Sequence, residues 1–518
     1  LIAPISELLE RQVTAAPDKP AFEDARRKIT YAQLDANTRD LAAQYRAAGL
    51  RPGGSVGIWL SNSVDWVVAT LAAIRAGGVA VPIPSLAKPG EVAYRIDDAG
   101  IDILVTWDGA MPVLERIRQG ESRGPATVIT TGGPSARTLS FDDLTSKPGP
   151  DLPPEDIDAL SLLVYTSGTT GKPKGVQLTT RSMLWVNAAC WSPIFGMGPE
   201  DVVLSPLPLF HSYALNFCVL SIIANGASEY IMETFSTDGA MDLLAQDRFT
   251  LMPGVPTMFH YLMLRAKETG LNPFRAVRRC ASAGAIMPAA LNSEFEDLFG
   301  IELLDGYGIT ETSTMVTINW PGSARVSGSC GLPLPGLSVR LVSPTTGKDV
   351  AQGEEGELIC RGPNVMRGYR NKPEATASAL RDGWYHTGDL ARADAHGFLT
   401  ISGRLKELII RGGQNIAPAE IEETVVRMDG VRDCAVVGVS HETLGEVPVA
   451  FVVPEDGVTL ELDAIRTFCA NRLSDYKLPN DLKSVDEIPR TGSGKIMRFK
   501  LRDLYEAGAR SRYPRTRT

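Results

Sequence analysis

The chain has 518 residues, 44% of them hydrophobic and 22% charged, with 49 Gly and 35 Pro, which suits several globular domains and excludes a disordered or fibrous chain. Lys and Arg number 52 against 61 Asp and Glu, a formal charge of −9 without long like-charge blocks, so nothing calls for a nucleic-acid partner. The seven Cys are scattered without a C-x-x-C pair, the longest apolar stretches are broken by Arg75, Gly77, Asn216 and Asn225, and no leader pattern is visible, so the expectation is a cytoplasmic protein without zinc site, disulfide framework or membrane span.

In chain order, Thr30-Tyr-Ala-Gln33 spells a capping box for a helix that carries Leu34, Leu41 and Tyr45 on one face and stops at Gly49. A strand is expected at Ser55 to Leu60, a helix at Val64 to Ala76 capped by Ser63, a strand at Val79 to Ile83, a helix at Glu91 to Asp98 and a strand at Asp102 to Thr106. Strands joined by helical crossovers imply parallel sheets covered on both faces. Gly120 to Pro154, rich in Gly, Pro, Ser and Thr, reads as surface connection within one large domain. After His396-Gly397 the pattern changes: short β-like runs at Phe398 to Ser402 and Glu407 to Arg411, a helix at Ala419 to Met428, strands near Cys434 to Val439 and Pro448 to Val453, and a helix at Leu462 to Leu473. The chain therefore reads as α/β, a large N-terminal domain of helix-covered sheets (1–402) and a small α+β C-terminal domain (407–518), with the boundary at 403–406. Arg510 to Thr518 reads as a frayed tail.

Leu160 to Tyr165 is a strand candidate, and Thr166-Ser-Gly-Thr-Thr-Gly-Lys-Pro-Lys-Gly175 follows it directly. Glycines that let backbone N–H groups converge, hydroxyl donors and two lysines make the composition of a phosphate cradle, although a flexible linker has the same composition. It is not a Walker A loop, because only Thr169 and Thr170 separate Gly168 from Gly171, and Pro173 stands where a helix-opening Ser or Thr belongs.

The string Tyr165 to Val176 resembles the signature of the adenylate-forming superfamily, which includes acyl-CoA synthetases, peptide-synthetase adenylation domains and beetle luciferases. Further strings match its motifs in order: Asp305-Gly-Tyr-Gly-Ile-Thr-Glu311, Tyr385-His-Thr-Gly-Asp389-Leu, Gly403-Arg404-Leu-Lys406-Glu-Leu-Ile and Pro489-Arg-Thr-Gly-Ser-Gly-Lys495. The resemblance runs from Ile29 to Lys495, and it implies that the small domain is mobile.

The resemblance implies the following roles. Thr166, Ser167, Gly168, Thr169, Thr170, Gly171 and Lys174 grip the outer phosphates of ATP, and Glu311, with Thr166, binds Mg²⁺, a hard cation usually held by one or two carboxylates together with phosphate oxygens. Thr310 touches the α-phosphate; Gly284, Ala285, Asp305, Gly306, Tyr307 and Gly308 belong to the ATP/AMP-binding set, with Tyr307 as the face on which adenine stacks. Asp389, beside Arg404, accepts the ribose hydroxyls. Lys495 is the catalytic lysine, Lys406 the hinge, and Gly412-Gly413 lets a pantetheine arm pass close to backbone. Where amino-acid-activating relatives place an Asp, this chain has His211, and Phe210-His-Ser-Tyr-Ala-Leu215 resembles aryl and medium-chain acyl-CoA ligases. An acid pocket of His211, Tyr213, Ala214, Gly284, Gly306, Ile309 and Met315 follows, with Gly306 and Gly308 leaving room for a bulky or aromatic acid.

The function so implied is an acyl-CoA synthetase: ATP activates a hydrophobic (aryl, medium-chain or polycyclic) acid as acyl-AMP with release of pyrophosphate, and CoA then yields thioester and AMP. ATP, Mg²⁺ and CoA are the implied cofactors and co-substrates. Loading of a carrier-protein phosphopantetheine is the alternative, a non-catalytic nucleotide-binding protein a second, and a homodimer stays open. Thr166, Glu311, Asp389 and Lys495 are all present, which disfavours the non-catalytic reading.

Overall fold

The computed structural model describes residues 1–120, 122–132, 138–149, 151–166, 173–322, 325–412, 414–490 and 495–512. The chain forms two compact units: residues 1–338 with 360–385, and residues 339–359 with 386–518.

The larger unit is built on two sheets, both mostly parallel. In one, strands Glu302–Tyr307, Arg279–Ser282, Leu251–Gly254, Val202–Ser205, Ser228–Ile231 and Pro20–Glu23 lie side by side in that order, with short antiparallel strands at either end. In the other, Lys174–Thr179 and Leu160–Thr166 form an antiparallel pair beside the parallel strands Val79–Pro82, Ser55–Ile58, Ile101–Trp107 and Thr127–Thr131. The local signals act as expected. Thr30 and Gln33 close a capping box on helix Tyr31–Ala47, and Ser63 accepts the Trp66 N–H at the start of Val64–Arg75, a helix buried on every side. Val79, Val81, Ile101 and Leu104 of these strands join Val92, Ile96 and Leu114 of covering helices in one core.

The 120–154 segment departs from expectation. Thr127–Thr131 is a strand parallel to Ile101–Trp107, followed by the short strand Leu139–Ser140 and the helix Phe141–Thr145. Val128 and Ile129 bury the strand, while its three threonines gave the segment a loop-like composition.

In the smaller unit the long hairpin Val431–His441 and Gly445–Pro454 belongs to a five-stranded sheet in which Gly445–Pro454 is interior and Val431–His441 lies at an edge. Its residues alternate between two cores: Cys434, Val436, Ala450 and Val452 face Ile421, Val425 and Ile465, whereas Ala435, Val437, Val449 and Phe451 face Ile488 and Leu501. The helix Arg498–Arg512 that supplies Leu501 was not expected; its residues 510–512 overlap the segment read as a frayed tail, and 513–518 lie outside the described residues. The strands Trp384–Ala393 and Leu399–Arg404 pair so that Asp389 stands opposite Arg404. Division by compactness thus falls at 338/339, 359/360 and 385/386, ahead of the 403–406 turning segment expected from sequence.

All seven cysteines are free and buried. Burial pushes up the thiols of Cys190, Cys218, Cys280, Cys434 and Cys469, and that of Cys360 to about 12. Among the described residues, no helix is long and apolar enough to cross a membrane.

Candidate active site

In the larger unit, Thr166 ends strand Leu160–Thr166 opposite Lys174, the first residue of the next strand, so both emerge at the mouth of the intervening loop. Ser167, Gly168, Thr169, Thr170 and Gly171 lie outside the described residues. The ammonium of Lys174 sits 4.8 Å from the centre of the Tyr369 ring, and the Tyr369 hydroxyl donates to a Glu311 carboxylate oxygen at 2.9 Å. Tyr369 thereby joins Lys174, expected to grip phosphate, to the expected metal ligand. Tyr385 and Tyr307 stand in the same neighbourhood: burial first, then the charge of Glu311, pushes the Tyr385 hydroxyl well up.

Glu311 belongs to a tight turn, Thr310–Thr312, followed by Ser313 and Thr314 with φ of +52° and +110°. For a β-branched threonine such a φ costs on the order of 1–3 kcal/mol, and it persists because the surroundings fix it. Asn364 donates to the carbonyls of Thr312 and Met315 at 3.0 and 2.8 Å, Asn216 to that of Ser313 at 3.3 Å, and Ser313 to Ser182 at 3.0 Å.

The same turn reaches the expected acid side. Thr310 and Ser212 share a 3.1 Å hydrogen bond between hydroxyls, and Ser212 is the neighbour of His211. His211 caps the helical segment that begins at Ser212, its Nδ1 accepting the Tyr213 N–H at 3.3 Å, so the neutral ring carries its proton on Nε2. Burial lowers its pKa from 6.5 to about 4, so the ring is neutral at pH 7. Tyr213 donates to the Ala281 carbonyl at 3.1 Å and stacks on Trp191, centroids 6.1 Å apart, with Phe217 closing the cluster. Residues 187–191 and 215–220 are π-helical, a form frequent at functional sites, and no sequence signal announced it.

Three expected pocket glycines divide. Gly284 has φ of +89°, is exposed, and an added Cβ would meet only Val255 at 3.7 Å; Ala285 beside it is exposed too. Room at Gly306 and Gly308 is overturned. A Cβ on Gly306 would lie 2.4 Å from the Met315 methyl and 2.8 Å from the Thr317 carbonyl, and one on Gly308 1.4 Å from the Thr314 carbonyl. The protein itself fills these spaces, and the two glycines are required by the fold of the strained turn. Ala214 and Met315 are buried, and Ile309 is half-buried. Asp305 turns inward, its carboxyl pushed well up by burial, with Ser282 and the Gly306 N–H only partly opposing.

The smaller unit gathers the other charged residues. Asp389, buried, pairs with Arg404 across the strand register. Its N–H donates to the Thr387 hydroxyl at 3.0 Å, which donates to the Leu358 carbonyl at 2.7 Å. Lys495 lies 4.0 Å from Glu407, which receives Arg498 at 3.1 Å. Partial burial and Arg404 lower the Lys495 pKa, opposed by Glu407 and Asp389. Lys406 is exposed. Gly412 has φ of +56° and donates to the Leu444 carbonyl at 2.7 Å; Gly413 lies outside the described residues. Sequence reasoning missed Tyr369, Ser212, Glu407 and Arg498. Of these Ser212 and Glu407, each inside a quoted string, had a signal that could have found them.

Among the described residues, no three His, Cys, Asp or Glu side chains are placed to cage a metal ion. One carboxylate, Glu311, on a turn packed against strand Lys174–Thr179 suits a hard cation whose other ligands come from a nucleotide.

A family profile described as AMP-binding enzyme matches residues 9–370, and one described as AMP-binding enzyme C-terminal domain matches residues 420–495. A feruloyl-CoA synthase of Amycolatopsis sp is 34% identical over 496 residues, 95% of this chain and 97% of the relative. A sulfoacetate–CoA ligase of Cupriavidus necator is 36% identical over 503 residues, 96% and 97% of the two chains. The crystal structure of an anthranilate CoA ligase in complex with anthranoyl-AMP superposes with a TM-score of 0.90 at 26% identity, covering 98% of each chain.

Proposed function

We propose a residue-by-residue division of labour from the premise that the chain belongs to the AMP-binding enzyme family. It is an AMP-forming carboxylic acid–CoA ligase. The acid's carboxylate oxygen attacks the α-phosphorus of ATP and pyrophosphate leaves; the thiol of CoA then attacks the acyl carbonyl, and AMP leaves.

In the first step Lys174 neutralises the outer phosphates with the loop that begins at Thr166. Glu311 and Thr166 hold Mg²⁺, which supplies charge neutralisation of the phosphate oxygens. Thr310, fixed by Ser212, donates to the α-phosphate and puts it beside the His211 side, where the acid carboxylate lies. Tyr307 stacks on adenine, Asp389 accepts the ribose hydroxyls while Arg404 holds it, and the Lys495 ammonium meets the charge that shifts from carboxylate to α-phosphate. For the second step the segment 403–406 turns with Lys406 as pivot, and the pantetheine arm passes Gly412 and Gly413.

The observation that carries this reading is the meeting of Asp389 and Arg404, from one strand pair, with Lys495, from a distant part of the sequence, in one charge cluster. The acid is hydrophobic, aryl or medium-chain. A neutral His211 beside the stacked Tyr213 and Trp191 offers no charge to an ammonium or a second carboxylate, and an apolar group loses nothing there. Free, buried thiols suit a reducing compartment such as the cytoplasm.

The test is pyrophosphate release across a panel of acids, followed by thioester formation with free CoA and with holo carrier proteins. Aryl and medium-chain acids with CoA are the expected pair. Preference for a dicarboxylate or an amino acid overturns the pocket assignment, and turnover with the carrier alone overturns CoA.

A further inference from the structure

We propose that Glu407 is the positioning residue of Lys495: one carboxylate, divided between two cations, keeps the lysine charged and in place for adenylation. The proposal rests on the reading of Lys495 given above.

Glu407 immediately follows the hinge position Lys406. One of its oxygens receives Nε of Arg498 at 3.1 Å, and the other lies 4.0 Å from Nζ of Lys495. Arg498 is immobilised on its far side, where Nη2 donates to Glu422 at 3.0 Å and Nη1 to the Val436 carbonyl at 3.1 Å. Glu422 is itself fixed by accepting the Val436 N–H at 2.6 Å. Strand Val431–His441 of the hairpin thus anchors Glu422, Glu422 anchors Arg498, and Arg498 anchors Glu407. The lysine at the end of this series follows the 491–494 segment.

The charge balance at Lys495 gives Glu407 its importance. From the paired strands Lys495 faces Arg404 and Asp389, from the turn Glu407, and from the helix Arg498. Asp389 is paired with Arg404, and Glu422 with Arg498. Partial burial and the two guanidiniums favour a neutral amine, which cannot stabilise charge developing on a phosphate. Burial works to raise the Glu407 carboxyl, yet Arg498, Lys495 and Arg404 together hold it below the usual carboxylate range, so it is an anion at neutral pH.

Glu407→Gln keeps shape and hydrogen bonding to Arg498 but removes the charge. Lys495 should then lose its proton about one pH unit lower, the low end of the effect of an opposite charge at this distance, because the lysine is partly solvated. Two readouts decide. NMR titration of ¹³Cε-labelled lysine, with the Lys495 signal assigned by its loss in Lys495→Arg, gives the proton affinity directly and needs no substrate. Single-turnover pyrophosphate release against pH should show the alkaline limb moving down by the same amount, with activity recovered on lowering the pH. In Lys495→Arg and in the double variant the limb should vanish, since arginine does not titrate in this range. Glu407→Asp, which withdraws the charge by one methylene, should give a smaller shift in the same direction, and it carries the test if the Gln variant does not fold. An unshifted Lys495 signal, or a loss of rate equal at every pH, overturns the proposal. Absence of pyrophosphate release from the native enzyme with every acid overturns the adenylation reading instead, and the NMR titration still decides Glu407.

Discussion

The neighbourhood of Glu311 in the larger unit and that of Lys495 in the smaller unit treat charge in opposite ways. Around Glu311 the contacts given above among the described residues involve few charges, that carboxylate and the ammonium of Lys174, with the phenol of Tyr369 bonded to the first and facing the second. Around Lys495 they interlock, with Asp389, Arg404, Glu407, Arg498 and Glu422 tied pairwise. A sparse arrangement suits a ligand that brings its own charge, since phosphates and a cation would complete it. The crowded one suits a group whose protonation must be held constant by its neighbours. Removing a charge should alter ligand binding in the first and the titration or rate of a neighbour in the second.

The largest effect expected is from Lys495→Ala. Adenylation should fall by about 10²–10³, roughly 3–4 kcal/mol for one charged contact to the transition state. Thioester formation from supplied acyl-AMP should stay near the native rate, because the lysine serves one step. Equal loss in both half-reactions would erase the distinction between the two neighbourhoods. Next comes Lys406→Pro, which fixes φ near −65° and removes an N–H at the proposed pivot. Single-turnover pyrophosphate release should survive while thioester yield drops by about tenfold or more; if both steps are spared, the pivot lies elsewhere.

Acid stability gives a third comparison. His211 has a folded pKa of about 4 against 6.5 for a free ring, so the unfolded chain takes up the proton first as pH falls. Stability from this group is intact above pH 6.5 and declines toward pH 4, by roughly 3 kcal/mol if the full shift is expressed. Urea midpoints at pH 7, 5 and 4 measure it, and His211→Gln should flatten the slope. The smallest effects concern Mg²⁺. Glu311→Gln should raise the half-saturating Mg²⁺ concentration in pyrophosphate release by about tenfold or more. Tyr369→Phe, which keeps the ring under Lys174 and loses only the hydroxyl, should raise it by less than about tenfold. If the Tyr369 effect equals that of Glu311, the phenol is part of the ligand set and the sparse neighbourhood is denser than described.

Local signals in the sequence transferred well to the fold because their physics is local. The Thr30–Gln33 box and the Ser63 cap close where they were read, since each needs only three or four residues. Thr127–Thr131 was not legible: a strand held by neighbours on a sheet tolerates threonines that mimic a loop. Helix Arg498–Arg512 was hidden by its many charged residues, although Leu501 anchors it in the core. The same limit applies to the site. Asp389 and Arg404 were legible through motif spelling, and strand register then explains their pairing. Tyr369 and Arg498 gain significance only from a partner far away in sequence, which no spacing encodes. Gly306 and Gly308 show the converse error, because a glycine marks space without saying whether ligand or backbone fills it.

The burial of every native cysteine has a practical consequence. A maleimide needs an accessible thiolate; these thiols are shielded from contact, and burial also favours the protonated form of the six whose thiols it pushes up. A single cysteine introduced on the surface of either unit therefore becomes the fast-reacting handle without any background substitution. Two such positions, one in each unit, would let a donor and acceptor dye report distance changes in single molecules as acid, ATP and CoA are added in turn.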